Sequence, residues 1–117
     1  MFNIICDPDK LKKICELTNE KMREIFGDKL VSVILYGSYA RGDYEDFSDI
    51  DIMALVDMDK MELGKHRRKV SSFSSNIGLE YDVLLCIKLQ DKETFNKWQY
   101  DLPFFMNVKR EGIILNA

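Results

Sequence analysis

Hydrophobic and polar positions alternate along the chain with two periods, one helical and one extended. Leu11, Ile14, Cys15, Thr18, Met22, Ile25 and Phe26 recur at helical spacing and form one apolar stripe. Asp7 then Pro8 opens this helix, a capping carboxylate before proline at the first helical position, and Gly27 stops it. Leu30 to Tyr36 is a near-continuous apolar and β-branched run, as expected of a strand buried on both faces. Asp49 to Val56 predicts a second strand. A helix follows with Leu63, His66, Val70, Phe73 and Ile77 on one side, weakened by about 1 kcal/mol at Gly64 relative to alanine and ended by Gly78. Glu80 to Ile87 predicts a third strand. Asp91 caps a further helix carrying Phe95 and Trp98, and Pro103 restarts a helix through Phe104, Phe105 and Val108 to Gly112. Ile113 to Leu115 predicts a short last strand. Residues 1–117 therefore read as one α/β (α+β) domain, a small mixed sheet flanked by helices in two or three layers.

Composition narrows the functional classes. A hydrophobic content of 46% fits a packed core and excludes disorder. The formal charge of −3 argues against a non-specific nucleic-acid binder, which would be basic. No apolar stretch approaches the roughly 20 residues that span a membrane. The start, MFNIICDPDK, lacks the basic and long apolar segments of a signal peptide, so a cytoplasmic location is expected. Cys6, Cys15 and Cys86 lie in apolar contexts without CxxC pairing. They read as reduced core cysteines and not as a metal site.

The chemistry concentrates in YGSYARGDYEDFSDIDI, from Tyr36 to Ile52. On a strand, Asp49 and Asp51 fall on one face, roughly 7 Å apart. Carboxylates this close repel unless a cation lies between them, and hard oxygen ligands suit Mg²⁺. Gly37 follows the first strand where the backbone must turn and approach a ligand closely. Ser38 offers a hydroxyl and a helix-start amide to phosphate oxygens. Arg41 on the short helix SYAR either pairs with phosphate or locks the loop, and Gly42 lets that helix end. Asp82, inside EYDVLLCI, is expected near the start of the third strand, where a lone charge is costly unless paired or metal-bound. With neighbouring strands roughly 5 Å apart, it would complete a triangle with Asp49 and Asp51. Three such carboxylates hold two Mg²⁺ ions, which at about 3.5–4 Å clamp the attacking and leaving oxygens of an in-line displacement. Asp43, Glu45 and Asp46 read as a solvated loop, and Lys65 to Lys69 (KHRRK) as a solvated helix face. Tyr36 reads as core packing, while Tyr39 and Tyr44 are secondary candidates for stacking on a base.

The string GSYARG, five residues, then SDIDI, with an aspartate further on, resembles the nucleotidyltransferases of the DNA polymerase β superfamily. Within them the chain looks like the minimal nucleotidyltransferases. The resemblance implies a polymerase-β-like fold, Mg²⁺ (two ions) and ATP as substrate. It assigns Gly37, Ser38 and Arg41 to the nucleotide and Asp49 and Asp51 to the metals. Asp82 would serve the second metal and help deprotonate an acceptor hydroxyl. Minimal nucleotidyltransferases often act as antitoxins that transfer AMP to a tyrosine of a HEPN-domain ribonuclease toxin, so such a toxin is the implied partner. The chain has no room for a separate acceptor-binding domain. The acceptor is therefore expected from a second protein or a second copy, in a homo- or hetero-oligomer. Two alternatives stay open: a small-molecule, aminoglycoside-type nucleotidyltransferase working with a partner subunit, and a binding module that neutralises a partner by contact alone.

Overall fold

The computed structural model describes residues 7–45 and 48–116. The chain runs α1 (Pro8–Phe26), a single 3-10 turn, β1 (Leu30–Tyr36), α2 (Ser38–Arg41), β2 (Ile50–Val56), α3 (Lys60–Gly64) and α4 (Arg67–Tyr81). It continues through β3 (Leu85–Asp91), α5 (Lys92–Trp98), α6 (Pro103–Glu111) and β4 (Ile113–Ile114). The α1 cap forms as expected, with the Lys10 amide donating to Asp7 Oδ1 at 2.8 Å. Asp91 caps α5 in the same way, accepting from the Thr94 amide at 2.8 Å. Each such cap is worth about 1 kcal/mol.

The sheet order is β3-β2-β1-β4. β1 lies antiparallel to both β2 and β4, and β2 lies parallel to β3, so the sheet is mixed. Helices cover both faces. Ile14, Met22 and Phe26 of α1 with Val70 and Ile77 of α4 pack on Val33, Leu35, Ile52 and Ala54. On the other face Phe95 of α5 and Phe105 and Val108 of α6 pack on Ile34, Met53 and Leu55. This double cover explains why β2 is apolar without a break from Ile52 to Val56, after Asp51. Among the described residues, no helix is long and apolar enough to cross a membrane.

The segment from Lys60 to Ile87 departs from its sequence expectation. The helix breaks in two at Lys65 and His66, where the Lys65 and His66 amides donate to the Glu62 and Leu63 carbonyls three residues back and the His66 ring packs edge-on against Phe26 at 5.1 Å. Gly78 does not stop α4, which continues to Tyr81. Its role is close approach: a Cβ there would stand 2.9 Å from the Val83 carbonyl oxygen. The amides of Asp82 and Val83 both return to the Gly78 carbonyl, and Asp82 takes left-handed backbone (φ 55°, ψ 54°). Aspartate tolerates that conformation better than most residues. The turn delays the strand, so β3 begins at Leu85. Cys6, Asp46 and Phe47 lie outside the described residues.

Candidate functional site

The strand register gathers the site. Tyr36 of β1 stands opposite Asp51 of β2, and Asp51 stands opposite Cys86 of β3. Ile50 and Ile52 face the α1/α4 core and are fully buried. With a period of two, Asp51 must therefore emerge on the opposite face with Tyr36 and Cys86. Asp49, just before β2, adds a second, exposed carboxylate. One ligand atom from each of Asp49, Asp51 and Cys86 lies within 4.8 Å of the others. The Cys86 thiol donates to Asp49 Oδ2 at 3.8 Å.

The turn after β1 is built against this cluster. Gly37 has φ 77° and ψ −156°, and a Cβ at that position would stand 2.5 Å from Asp51 Oδ2. The glycine is thus required by the protein's own carboxylate as well as by backbone geometry. The Ala40 and Arg41 amides return to the Gly37 carbonyl at 3.1 Å, forming the short helix that Ser38 begins. Arg41 is a lock: its Nε donates to Asp43 at 3.1 Å and its Nη1 to Glu111 at 3.2 Å, tying the turn to the end of α6. The Tyr39 ring is buried and stacks on Tyr44 with centroids 4.3 Å apart. Tyr36 meets Phe104 edge-on at 5.7 Å and is half-buried.

Electrostatics follow from partial burial beside like charge. Burial pushes the Asp51 carboxyl above its ordinary range, and Asp49 adds to this while Arg41 opposes it. Burial, then Asp51 and Cys86, pushes the Tyr36 hydroxyl up to about 12. Burial, then Asp49 and Asp51, raises the Cys86 thiol, which stays protonated at neutral pH. The carboxylate oxygens of Asp49 and Asp51 form a hard donor set that fits Mg²⁺.

A raised folded-state pKa means that Asp51's protonated form favours folding at low pH, and that this contribution is lost as pH rises through its raised pKa. At neutral pH the ionised carboxylate is a penalty. In chelator-treated buffer, Asp51→Asn should therefore raise the melting temperature by roughly 2–4 °C, a modest figure for a half-exposed group. The gain should disappear below about pH 4, where aspartate is protonated in the unfolded chain as well. Melting curves across pH would show it. A gain that persists at low pH would mean that charge is not its cause.

Two sequence assignments change. Asp82 is not in a strand amid apolar neighbours; it is exposed at the C-terminal cap of α4. Ile50 pairs with Leu85, so Asp49 would stand opposite Leu84, and Asp82 falls two residues further out. Among the described residues, the metal-competent group holds Cys86 and not Asp82. Cys86 is correspondingly not a core cysteine: it is exposed, whereas Cys15 is buried. Only the β2–β3 register reveals Cys86, and that register depends on where β3 starts.

Residues 15–105 match the family described as the nucleotidyltransferase domain. A protein of Methanocaldococcus jannaschii named protein adenylyltransferase is 34% identical over 104 residues, covering 89% of this chain and 95% of its own length. A second protein of that organism and name is 41% identical over 76 residues, 62% of this chain and 75% of its own. The crystal structure of a protein from Sulfolobus solfataricus, described as a nucleotidyltransferase, superposes with a TM-score of 0.62. That alignment covers 91% of this chain and 79% of the other at 23% identity, a likeness of fold.

Proposed function

The chain belongs to the nucleotidyltransferase domain family, and from that premise we propose that it transfers AMP from ATP to a hydroxyl group of a partner protein. Asp49 and Asp51 hold Mg²⁺, in the fuller case two ions. The turn from Gly37 to Ser38 receives the triphosphate, and Arg41 braces that turn through Asp43 and Glu111. Bound Mg²⁺ supplies charge neutralisation for the triphosphate in this family of reactions. The chain's own contribution is positioning: β1 and β2 fix the turn and the carboxylates relative to each other, and the Arg41 bridge keeps the turn closed.

The observation that carries this reading is the close approach of the Gly37 turn to the Asp51 carboxylate, where a Cβ at Gly37 would stand 2.5 Å from Oδ2; it supports a phosphate turn and metal ligands acting as one site. The names of the Methanocaldococcus relatives support a protein acceptor. A HEPN-domain toxin offering a tyrosine hydroxyl is the partner to test first. Intact-mass spectrometry of that partner after incubation with the chain, ATP and Mg²⁺ should show added AMP, lost with Asp51→Asn. A partner left unmodified by the wild-type chain would refute this choice of acceptor.

Asp82 sharpens the test. Loss of a general base costs roughly 10²–10⁴-fold in rate. Because Asp82 stands outside the donor group, Asp82→Asn should reduce transfer by less than about 10-fold, measured as initial rates with labelled ATP. A loss as deep as that of Asp51→Asn would return Asp82 to the reacting centre.

A further inference from the structure

Resting on the protein acceptor read above, we propose that β3 and the outer flank of α4 form a docking groove for an acidic, extended segment of that protein. β3 is an end strand of the sheet, and among the described residues no strand pairs with its outer side. It is seven residues long, so about half of its backbone donors and acceptors face outward. Native edges of this length are commonly blunted by lysine. Lys88 does not guard this one: its Nζ lies over the Phe104 ring at 4.8 Å, on the face of the sheet that carries Asp51. Beside the edge runs a groove of about 380 Å³. Arg67, Val70, Ser71 and Ser74, a single helical stripe of α4, form one wall, and β3 itself forms the other.

Charge and shape choose the occupant. Arg67 and Arg68 form no ion pair with any carboxylate of the described residues. Arg67 also lines the adjoining hollow, with Lys60 and Lys88. This cationic rim stands out on a chain of formal charge −3, and it complements an anionic partner locally. Carboxylates of the segment accept charge-assisted hydrogen bonds from the guanidinium groups, and its backbone completes the ladder that β3 leaves open. The open ladder favours a peptide over a nucleic acid, which has no backbone amides to pair. The groove also leads to the carboxylates: Cys86 lines it, and the Cys86 thiol donates to Asp49 Oδ2 at 3.8 Å. A fifth strand on β3 therefore carries a hydroxyl side chain to that end. Its acidic residues lie roughly three positions away, beside Arg67, where they do not crowd Asp49 and Asp51.

The probe is a short fluorescein-labelled peptide in which glutamate alternates with valine and one end carries tyrosine, titrated against the full chain by anisotropy. Without ATP or Mg²⁺, wild-type protein should bind it, and amide exchange should slow across Leu85–Asp91. Arg67→Glu with Arg68→Glu should weaken binding at least about 10-fold, and a peptide with lysine in place of glutamate should restore it. N-methylating one of the two alternating sets of peptide amides should weaken binding as strongly, and the other set should not. Circular dichroism confirms that each variant is folded. Absence of binding by the wild type overturns the proposal. So does equal binding of a glutamine-for-glutamate peptide, or tighter binding of an RNA oligonucleotide that displaces the acidic one. ATP and Mg²⁺ are then added. Peptide that binds the edge but gains no AMP on its tyrosine counts against the proposed reaction and leaves the groove standing. AMP transfer undiminished by the paired arginine substitutions removes the groove from acceptor docking.

Discussion

Asp49→Asn and Asp51→Asn are each expected to lower AMP transfer by at least about 10²–10³-fold, the scale on which one preorganised electrostatic group contributes to catalysis. The amide keeps the shape of the carboxylate but carries no charge, so a divalent cation loses a principal ligand. The triphosphate then meets a site without its counter-charge. Folding is not the cause, because Asp51 sits half-exposed beside another carboxylate and its removal relieves repulsion. Activity and stability should thus move in opposite directions, as at many functional sites. Initial rates and melting curves on the same preparations provide the check. Near-normal transfer by either variant would remove that aspartate from the metal site, and gross unfolding would make it structural.

Gly37→Ala should damage both fold and activity. Its backbone at φ 77° and ψ −156° lies where only glycine is comfortable, and forcing alanine there costs roughly 1–3 kcal/mol. The added methyl would also stand 2.5 Å from Asp51 Oδ2, so the carboxylate or the turn must shift. A displacement near 1 Å at a reacting centre costs about 10²-fold in rate. A fall in melting temperature of roughly 4–20 °C accompanies the stability loss. The steric part can be isolated in a cycle with Asp51→Ala: where the opposing carboxylate is gone, Gly37→Ala should cost less stability. Equal costs in both backgrounds would leave backbone strain as the whole effect.

Much of the fold was legible because local signals agreed with the tertiary structure. The Asp7–Pro8 start, the Gly27 stop and the bounds of β1 follow from capping chemistry and an apolar run buried on both faces. Asp49 and Asp51 were legible as a pair because a two-residue period leaves no choice of face. The failures lie where the chain uses contacts that local patterning does not carry. EYDVLLCI resembles a strand, yet Tyr81 still packs toward the core one turn after Ile77 and keeps the helix going. β3 runs on to Asp91, past its expected end at Ile87, through the polar Lys88 and Gln90. In the fold Lys88 lies over the Phe104 ring at 4.8 Å, and Gln90 donates to Asp91 at 3.1 Å. Arg41 had two open roles in the sequence, and the partner that decides its structural one, Glu111, stands 70 residues away.

The parallel pairing of β2 with β3 carries a consequence for how the protein is made. Asp49 and Cys86 are 37 residues apart, and they meet only after the intervening chain has crossed over the sheet. Such non-local pairings must overcome loop-closure entropy before they gain any contact, so they form late. A chain that has joined β1 to β2 carries the whole GSYARG…SDIDI signature, but only two of the three donor groups. The contact of the Cys86 thiol with Asp49 therefore belongs to the finished sheet alone and marks the completion of assembly.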